Sequence, residues 1–572
     1  MKTSHLRTTS LLSISLATLA LVASPQSAEA CGGFFCDAGP TVMPVDQTGE
    51  SIIFWIDNSG ASPHTEAHIQ IQYEGDPERF AWIIPVQQIP EVLVGSQTLF
   101  DNVLQATVPT FTTNSRTIGD CNSGGSIGFC LAKDDAGTNQ ALSTGGSDGG
   151  TDTDGPEIIE RGLAGAFEYV VLTGDNIQEI VDWLDQAGYA QDEDAPPILQ
   201  EYLDEGFVFV AVKLQSGAET DEIHPLAIRY AGVEPCIPIR LTRIAAIDDM
   251  AIRAFFLGED RVAPQNWPHV ELNHSRFDWV NGPQTSYNEV VGLAIDEAGG
   301  RAFVTEYAGT DAIVSTSGLL EDSWSAAAFE GIAPTSVWNQ LRAQGLVACV
   351  GDEDCVQEQI VHPQVEALLS KYLPAPDGVD ELVFWSNLGD YADMIDMAAW
   401  DAQPGFAADF DARIIVPGGH AIDMLEDATQ LTRLFTLLSP HEMIEDPLFH
   451  PTSGLPIVDN NITATRVTDC DGGPTFYELA DGRTVAVDVD GAMPELDANP
   501  AAERVERVPM MGPPQVEVDN AAQIDTTLDA YNDTRLDGPG CTISRVGLEG
   551  LLAFLGIFGV AWFNRGRRGR AS

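Results

Sequence analysis

The end of the chain constrains it most. From Val546 to Phe563 the residues are mostly apolar, and Arg565, Arg567, Arg568 and Arg570 follow directly. As a helix this run would be about 27 Å long at 1.5 Å per residue, close to the ~30 Å hydrocarbon core of a bilayer. Guanidinium groups resist crossing a membrane, so arginines after an apolar run act as a stop signal. The pattern predicts one C-terminal transmembrane helix within a membrane anchor or sorting tail over 541–572. The polypeptide before Cys541 is then expected on the opposite side from the arginines.

The other end agrees. Lys2 and Arg7 precede an apolar stretch from Leu11 to Val22, and Ala28-Glu29-Ala30 stands before Cys31. Basic start, short apolar centre and small residues make a signal peptide over 1–30 with cleavage after Ala30; the apolar part is too short to span a membrane. An exported chain with an even set of cysteines is expected to be cross-linked. With Cys541 set aside, the candidates are Cys31, Cys36, Cys121, Cys130, Cys236, Cys349, Cys355 and Cys470. Proximity suggests Cys31–Cys36, Cys121–Cys130 and Cys349–Cys355, which leaves Cys236–Cys470 as a long-range staple. Eight cysteines permit 105 connectivities, so proximity is the only guide.

Charge narrows the partners. With 28 basic against 86 acidic residues and a net charge of −58, the surface repels nucleic acid and attracts cations and basic partners. Nucleic acid is therefore excluded as a partner.

Along the chain, Ser51–Ile56 is a nearly continuous apolar run closed by Asp57-Asn58-Ser59-Gly60, as in a buried strand and turn. Thr65, Ala67, Ile69, Ile71 and Tyr73 alternate with Glu66, His68, Gln70 and Gln72, the period of a half-buried strand. With Phe80–Ile84 as a third strand, this predicts an antiparallel meander. Ser96 caps a helix bearing Leu99, Phe100, Val103 and Leu104, and a second helix is expected over Asp175–Gln186. Strands are expected at Phe207–Leu214, Leu226–Tyr230, Ile237–Ile244 and Ala251–Leu257. Further on, a helix opens at Pro363, another is expected over Asp423–Leu438, and Phe476–Leu479 with Arg483–Val487 reads as a hairpin.

The fold class is therefore α+β. A strand-rich antiparallel N-terminal domain is expected over 31–317, with a mobile loop at 134–156. A more helical, mixed helix and strand region follows over 318–496. A disordered acidic stalk with Pro509, Pro513 and Pro514 is expected over 497–540.

Several phrases then form a distinctive set: Cys31-Gly32-Gly33-Phe34-Phe35-Cys36, Phe80-Ala81-Trp82-Ile83-Ile84-Pro85-Val86, Val94-Gly95-Ser96, Cys236-Ile237-Pro238-Ile239-Arg240-Leu241-Thr242 and His269-Val270-Glu271-Leu272-Asn273. Together they resemble the bacterial domain of unknown function 2330 family of exported proteins, over roughly 31–310. The resemblance implies an uncharacterised cell-envelope protein and carries no catalytic residues across. The tail is similar to the myxobacterial C-terminal sorting signal, in which a cysteine precedes an apolar helix and an arginine cluster. Cys541, Arg565, Arg567, Arg568 and Arg570 match that layout, which implies processing near the cysteine and anchoring at the outer cell surface. Glu549 and Thr542-Ile543 depart from its commonest form.

Few constellations carry chemistry. His64, Glu66 and His68 share one strand face, and two histidines with a carboxylate can hold zinc. Gln70 and Gln72 continue that face without ligand chemistry, so it also reads as a polar strand face. Gly124-Gly125-Ser126-Ile127-Gly128 has the string of a serine hydrolase elbow but lies in a glycine-rich loop, without the strand and helix that strain such a serine. Asp152-Thr153-Asp154-Gly155, Asp469-Cys470-Asp471-Gly472 and Asp488-Val489-Asp490-Gly491 are fragments of calcium loops that lack their first oxygen ligand and read as turns.

Two functions are consistent with these features. One is a non-enzymatic binding or structural component of the cell envelope or surface. The other is a secreted metal-dependent hydrolase using His64, Glu66 and His68. No complete catalytic motif is present, and no cofactor is called for beyond calcium or zinc. The expected partners are the membrane, through the C-terminal helix, and export and sorting peptidases.

Overall fold

The computed structural model describes residues 49–70, 81–119, 157–186, 195–215, 222–350, 357–470 and 473–536, apart from positions 59, 61, 175 and 245. In chain order the first part holds β1 (Gly49–Asp57), β2 (His64–Ile69), β3 (Ala81–Val86), β4 (Glu91–Val94), α1 (Gln97–Thr107), β5 (Thr110–Ile118), β6 (Glu157–Ala164) and β7 (Phe167–Thr173). Next come α2 (Ile177–Gln186), α3 (Ala195–Asp204), β8 (Val208–Leu214), β9 (Leu226–Ala231), α4 (Ile239–Thr242), β10 (Met250–Gly258), β11 (Val262–Pro264), β12 (His269–Leu272), α5 (Tyr287–Glu297) and β13 (Phe303–Gly309). A helical stretch follows, with α6 (Val337–Ala343), the strands β14 (Val347–Val350) and β15 (Gln357–Ile360), then α7 (Pro363–Tyr372), α8 (Glu381–Ser386), α9 (Met397–Trp400), α10 (Phe406–Phe410) and α11 (Val416–Asp427). The chain ends its described course with β16 (Gln430–Leu438), β17 (Phe449–Pro451), β18 (Asn461–Asp469), β19 (Phe476–Leu479), β20 (Thr484–Ala486), β21 (Ala502–Arg507), β22 (Gln515–Asp519) and α12 (Ala521–Leu536).

The fold is α+β, built on a ten-stranded sheet in the order β22-β21-β12-β13-β16-β10-β1-β2-β9-β4. It is mixed rather than purely antiparallel, because β1 runs parallel to β10 and β12 parallel to β13. The expected meander does not close. β2 pairs with β1 and β9, while β3 joins a second, four-stranded sheet in the order β3-β8-β7-β6.

The two sheets pack face to face. Ile52, Phe54 and Ile56 of β1 meet Trp82, Ile84, Val210 and Val212 of the smaller sheet in one core. Period two sends the intervening residues Ile53 and Trp55 to the opposite face, where they pack with Leu99 and Phe100 of α1 and Met424 and Leu425 of α11. Burial of a side chain such as Phe54 stabilises by roughly 1.5–3 kcal/mol. The outer face of the smaller sheet is covered by α2 and α3 through Ile180, Leu184, Ile198 and Tyr202.

Several expectations are corrected. Leu431, Leu434, Phe435 and Leu438 have helical spacing, yet they lie on β16, while the helix ends at Asp427. A central strand is buried on both faces, so its apolar residues need not alternate. Ile237–Ile244 is a short helix and turns instead of a strand. The boundary expected at 317/318 does not divide the sheet, because β16 inserts between β10 and β13. Part of the expected disordered acidic stalk is folded. β21 and β22 form the edge of the large sheet, and α12 buries Ile524 and Leu528. Ion pairs of Arg483 with Glu503 and Asp525, and of Arg504 with Glu271, offset its acidic charge.

The Cys236–Cys470 staple is absent. Cys236 has a free thiol and forms an isolated bridge to Leu448, whereas Cys470, beyond β18 in another sheet, is bonded elsewhere, as is Cys349. Cys31, Cys36, Cys121, Cys130, Cys355, Cys541, the arginine cluster, Ala30, the 134–156 loop and the Ser126 and Asp152 strings lie outside the described residues. So does the expected span Val546–Phe563. Among the described residues no helix is long and apolar enough to cross a membrane.

Candidate metal centre

Strand β2 reads His64-Thr65-Glu66-Ala67-His68-Ile69. Ala67 and Ile69 point into the core between the sheets, so Glu66 and His68 emerge on the other face. Register places Glu66 opposite Trp55 on β1 and Arg229 on β9. Arg229 Nε donates to Glu66 Oε2 at 2.7 Å, and its Nη1 donates to Glu91 at 2.8 Å.

The third ligand comes from far along the chain. Gly418-Gly419-His420 lies in α11. A Cβ on Gly418 would stand 1.9 Å from the Leu319 carbonyl oxygen, so only glycine lets this turn approach so closely. Ala421, Met424 and Leu425 seat the helix on the sheet, and His420 reaches down beside Trp55, whose ring it meets edge-on at 5.7 Å.

His420 Nε2 is 2.6 Å from Glu66 Oε1, and His68 Nε2 is 2.8 Å from the same oxygen. All three ligand atoms lie within 4.8 Å of one another. His64 is outside this set. It faces Asp57, 3.6 Å away, and packs edge-on against Trp55. Of the predicted trio, the structure therefore unites Glu66 and His68 and replaces His64 with His420.

Glu66 and His68 are buried, while the His420 side chain is 22% exposed and opens the cluster to solvent. Burial alone would raise the Glu66 pKa. The hydrogen bond from His420, and the close imidazoles of His68 and His420, instead hold its carboxyl well below the ordinary range. Glu66 is thus a carboxylate at any physiological pH. Among the described residues, both ring nitrogens of His68 lack an aligned hydrogen-bond partner despite the close Glu66 oxygen. An inward-facing imidazole with no hydrogen bond is what a metal ligand looks like when its bond is to a metal.

Two imidazoles and one carboxylate suit zinc, at bond lengths of about 2.0–2.2 Å. A tetrahedral ion would hold its ligand atoms roughly 3.3 Å apart, so the present contacts would open by about half an ångström. With Oε2 held by Arg229, Glu66 would bind through one oxygen. The fourth position would lie on the His420 side.

Of the other acidic candidates, Asp469 ends strand β18 and the Asp488 string is a turn. Asp488 closes a turn to Gly491, whose φ is +91°, and Asp490 accepts from the Ala492 amide.

A family model described as an uncharacterized protein conserved in bacteria (DUF2330) matches residues 25–322, just over half of the chain. The chain belongs to this family. No curated protein and no solved structure matches it. The family match covers Glu66, His68 and Arg229 of this DUF2330 protein and stops before His420. The sequence could have offered His420 only as a histidine after two glycines in a helix, which is no metal signal.

Proposed function

We propose that this chain is an exported bacterial envelope protein whose folded part binds one divalent metal ion, with zinc as the best fit, through Glu66, His68 and His420. The observation that carries the reading is the convergence of His68 Nε2 and His420 Nε2 on one oxygen of a buried carboxylate. Two histidines rarely crowd one oxygen unless hydrogen bonds or a cation hold them there, and His68 makes no aligned hydrogen bond. Export is supported by the basic and apolar N-terminus, the cysteine set and the apolar tail closed by arginines. On this reading the protein is a metal-binding component anchored at the cell envelope.

A hydrolytic role rests on a separate observation, the partial exposure of His420. A zinc ion with three protein ligands and one outward position can bind water and lower its pKa to about 7. His64, on the same strand face and packed against the Trp55 ring that His420 also meets, is then the candidate to move a proton.

Metal analysis of protein purified without chelators tests the proposal. About one equivalent of zinc is expected in the wild type, less than a tenth of that in His68→Ala, and an unchanged content in His64→Ala. Absence of any divalent metal, with no uptake on adding zinc, would remove both readings.

A further inference from the structure

Strand β5 leaves an open edge far from the metal centre's helix. In the sheet β20-β19-β18-β5 it is the terminal strand, and it pairs in parallel with β18 from Thr110 to Ile118 without a shift of register. Thr110 and Phe111 are half-buried, whereas Thr112 to Ile118 are all exposed, so both faces of this stretch meet solvent. A terminal strand presents a row of backbone N–H and C=O groups that point away from its sheet and pair readily with another strand.

Proteins usually guard such edges with charge, proline, a bulge or shortness. Among the described residues the other sheet edges follow that rule. β22 carries the exposed Glu517 and Asp519. β4 has four residues and opens on Glu91. β6 carries Glu157 and Glu160 with a register shift beside them, and β3 contains Pro85. β20 and the strands of the two-stranded sheets have only three or four residues. β5 is nine residues long and has none of these devices. Its one charged residue, Arg116, is paired with Glu478 of β19.

Charge selects the occupant. A net charge of −58 drives copies of this chain apart wherever acids face one another, yet from Asn102 to Gly119 there is no acidic residue. A basic partner strand, which the rest of the surface attracts, finds no acid on β5 to meet. Self-pairing about Glu517 would set that acid against its own copy on β22, where like charges directly opposite are destabilising. Antiparallel self-pairing of β5 about Asn114 opposes no like charges: Thr112 faces Arg116, and Thr113 faces Ser115, a hydroxyl pair that suits cross-strand contact. We infer that β5 is a self-association edge, which pairs with β5 of a second copy about a two-fold axis at Asn114 and joins the two sheets into one. The interface is isologous, so it closes at a dimer. It shares no residue with the metal centre and does not depend on it.

Cysteine cross-linking of the full-length protein in mild detergent tests the inference, with copper phenanthroline as oxidant and non-reducing gels as the readout. Two opposed residues of an antiparallel pair have Cα atoms about 4.5–5.5 Å apart, within the roughly 4.4–6.8 Å that a disulfide spans. In this register position 114 faces itself, while the two copies of position 112 are four residues apart along the strand, on the order of 13 Å. Asn114→Cys is expected to give a reducible dimer in excess of the wild type, and Thr112→Cys and Arg116→Cys to stay at the wild-type level. Adding Thr113→Glu and Ser115→Glu to Asn114→Cys should remove the excess, because acids then oppose acids. Replacing Thr113→Glu by Thr113→Lys in that variant should restore it. These side chains are exposed, and unchanged thermal midpoints show that the variants fold. No excess dimer with Asn114→Cys, equal yields at positions 112, 114 and 116, or a dimer that persists in the doubly acidic variant overturns the inference.

Discussion

Glu66 and His420 meet at 2.6 Å across 354 residues of chain, a carboxylate in a central strand against an imidazole on a covering helix. If a metal ion occupies this junction, it ties α11 to β2 and stabilises the fold by mass action. Zinc at 100 times its Kd should raise wild-type stability by about 2.7 kcal/mol. His420→Ala should show no zinc-dependent rise, measured as the shift in thermal midpoint with and without the ion.

Gly418 sets the height of α11 above its neighbours. Because a Cβ there would collide with the Leu319 carbonyl oxygen, Gly418→Ala must push the helix outward and carry His420 with it. A loss of about 10–100-fold in zinc affinity is expected, the scale seen when groups that orient metal ligands are disturbed. Competition with a chromogenic chelator measures it. Gly419→Ala, whose Cβ would sit at an ordinary 3.6 Å from Leu320, should leave the affinity nearly unchanged.

Glu50, 2% exposed in β1, has its pKa raised to about 8 by burial with a smaller contribution from Asp446, and this makes stability depend on pH in a definite direction. A carboxyl shifted from 4.5 to about 8 contributes stability that is fully present below pH 4.5 and lost as pH rises through 8. Glu50→Gln should therefore gain on the wild type between pH 5 and pH 9, by on the order of 4 kcal/mol. Urea midpoints at pH 5, 7 and 9 would show the gap widening, and a constant gap would contradict it.

His224 works in the opposite sense. Burial, helped by the Arg413 charge, lowers its pKa to about 3; its Nε2 accepts from the Ala166 amide at 3.0 Å and its Nδ1 donates to the Pro225 carbonyl at 2.8 Å. Its contribution is present above pH 6.5 and lost as pH falls through 3. His224→Gln should cost about 1–3 kcal/mol at pH 7 by leaving the Ala166 amide poorly paired. It should also be less sensitive to acid than the wild type, as read from denaturant midpoints between pH 7 and pH 4.

Which of these features the sequence disclosed follows from the range of the interactions. Alternation over six residues was enough to put Glu66 and His68 on one face of a strand, because that periodicity is local. The choice between His64 and His420 depended on where α11 lands, which no local pattern encodes. β16 escapes local pattern for a related reason. Leucines at helical spacing satisfy a strand equally well when both faces are covered, and Thr432, Arg433 and Thr436 are the buried polar residues that such a strand must pair. Arg433 does so with Glu306, itself bonded to Tyr287 at 2.7 Å. The acidic 497–540 segment reads as a disordered stalk because the arginines that offset its charges, such as Arg483, are distant in sequence.

Strand β2 is one backbone thick, and its two sides meet different surroundings. Glu66 and His68 look toward α11, and Ala67 looks into the apolar core between the sheets. A shift of this strand of a few tenths of an ångström, caused by anything that fills one side, is transmitted to the other without an intermediary. Packing between the sheets and occupancy of the proposed metal position are then coupled through a shared wall, and linkage requires that each influence the other by the same factor.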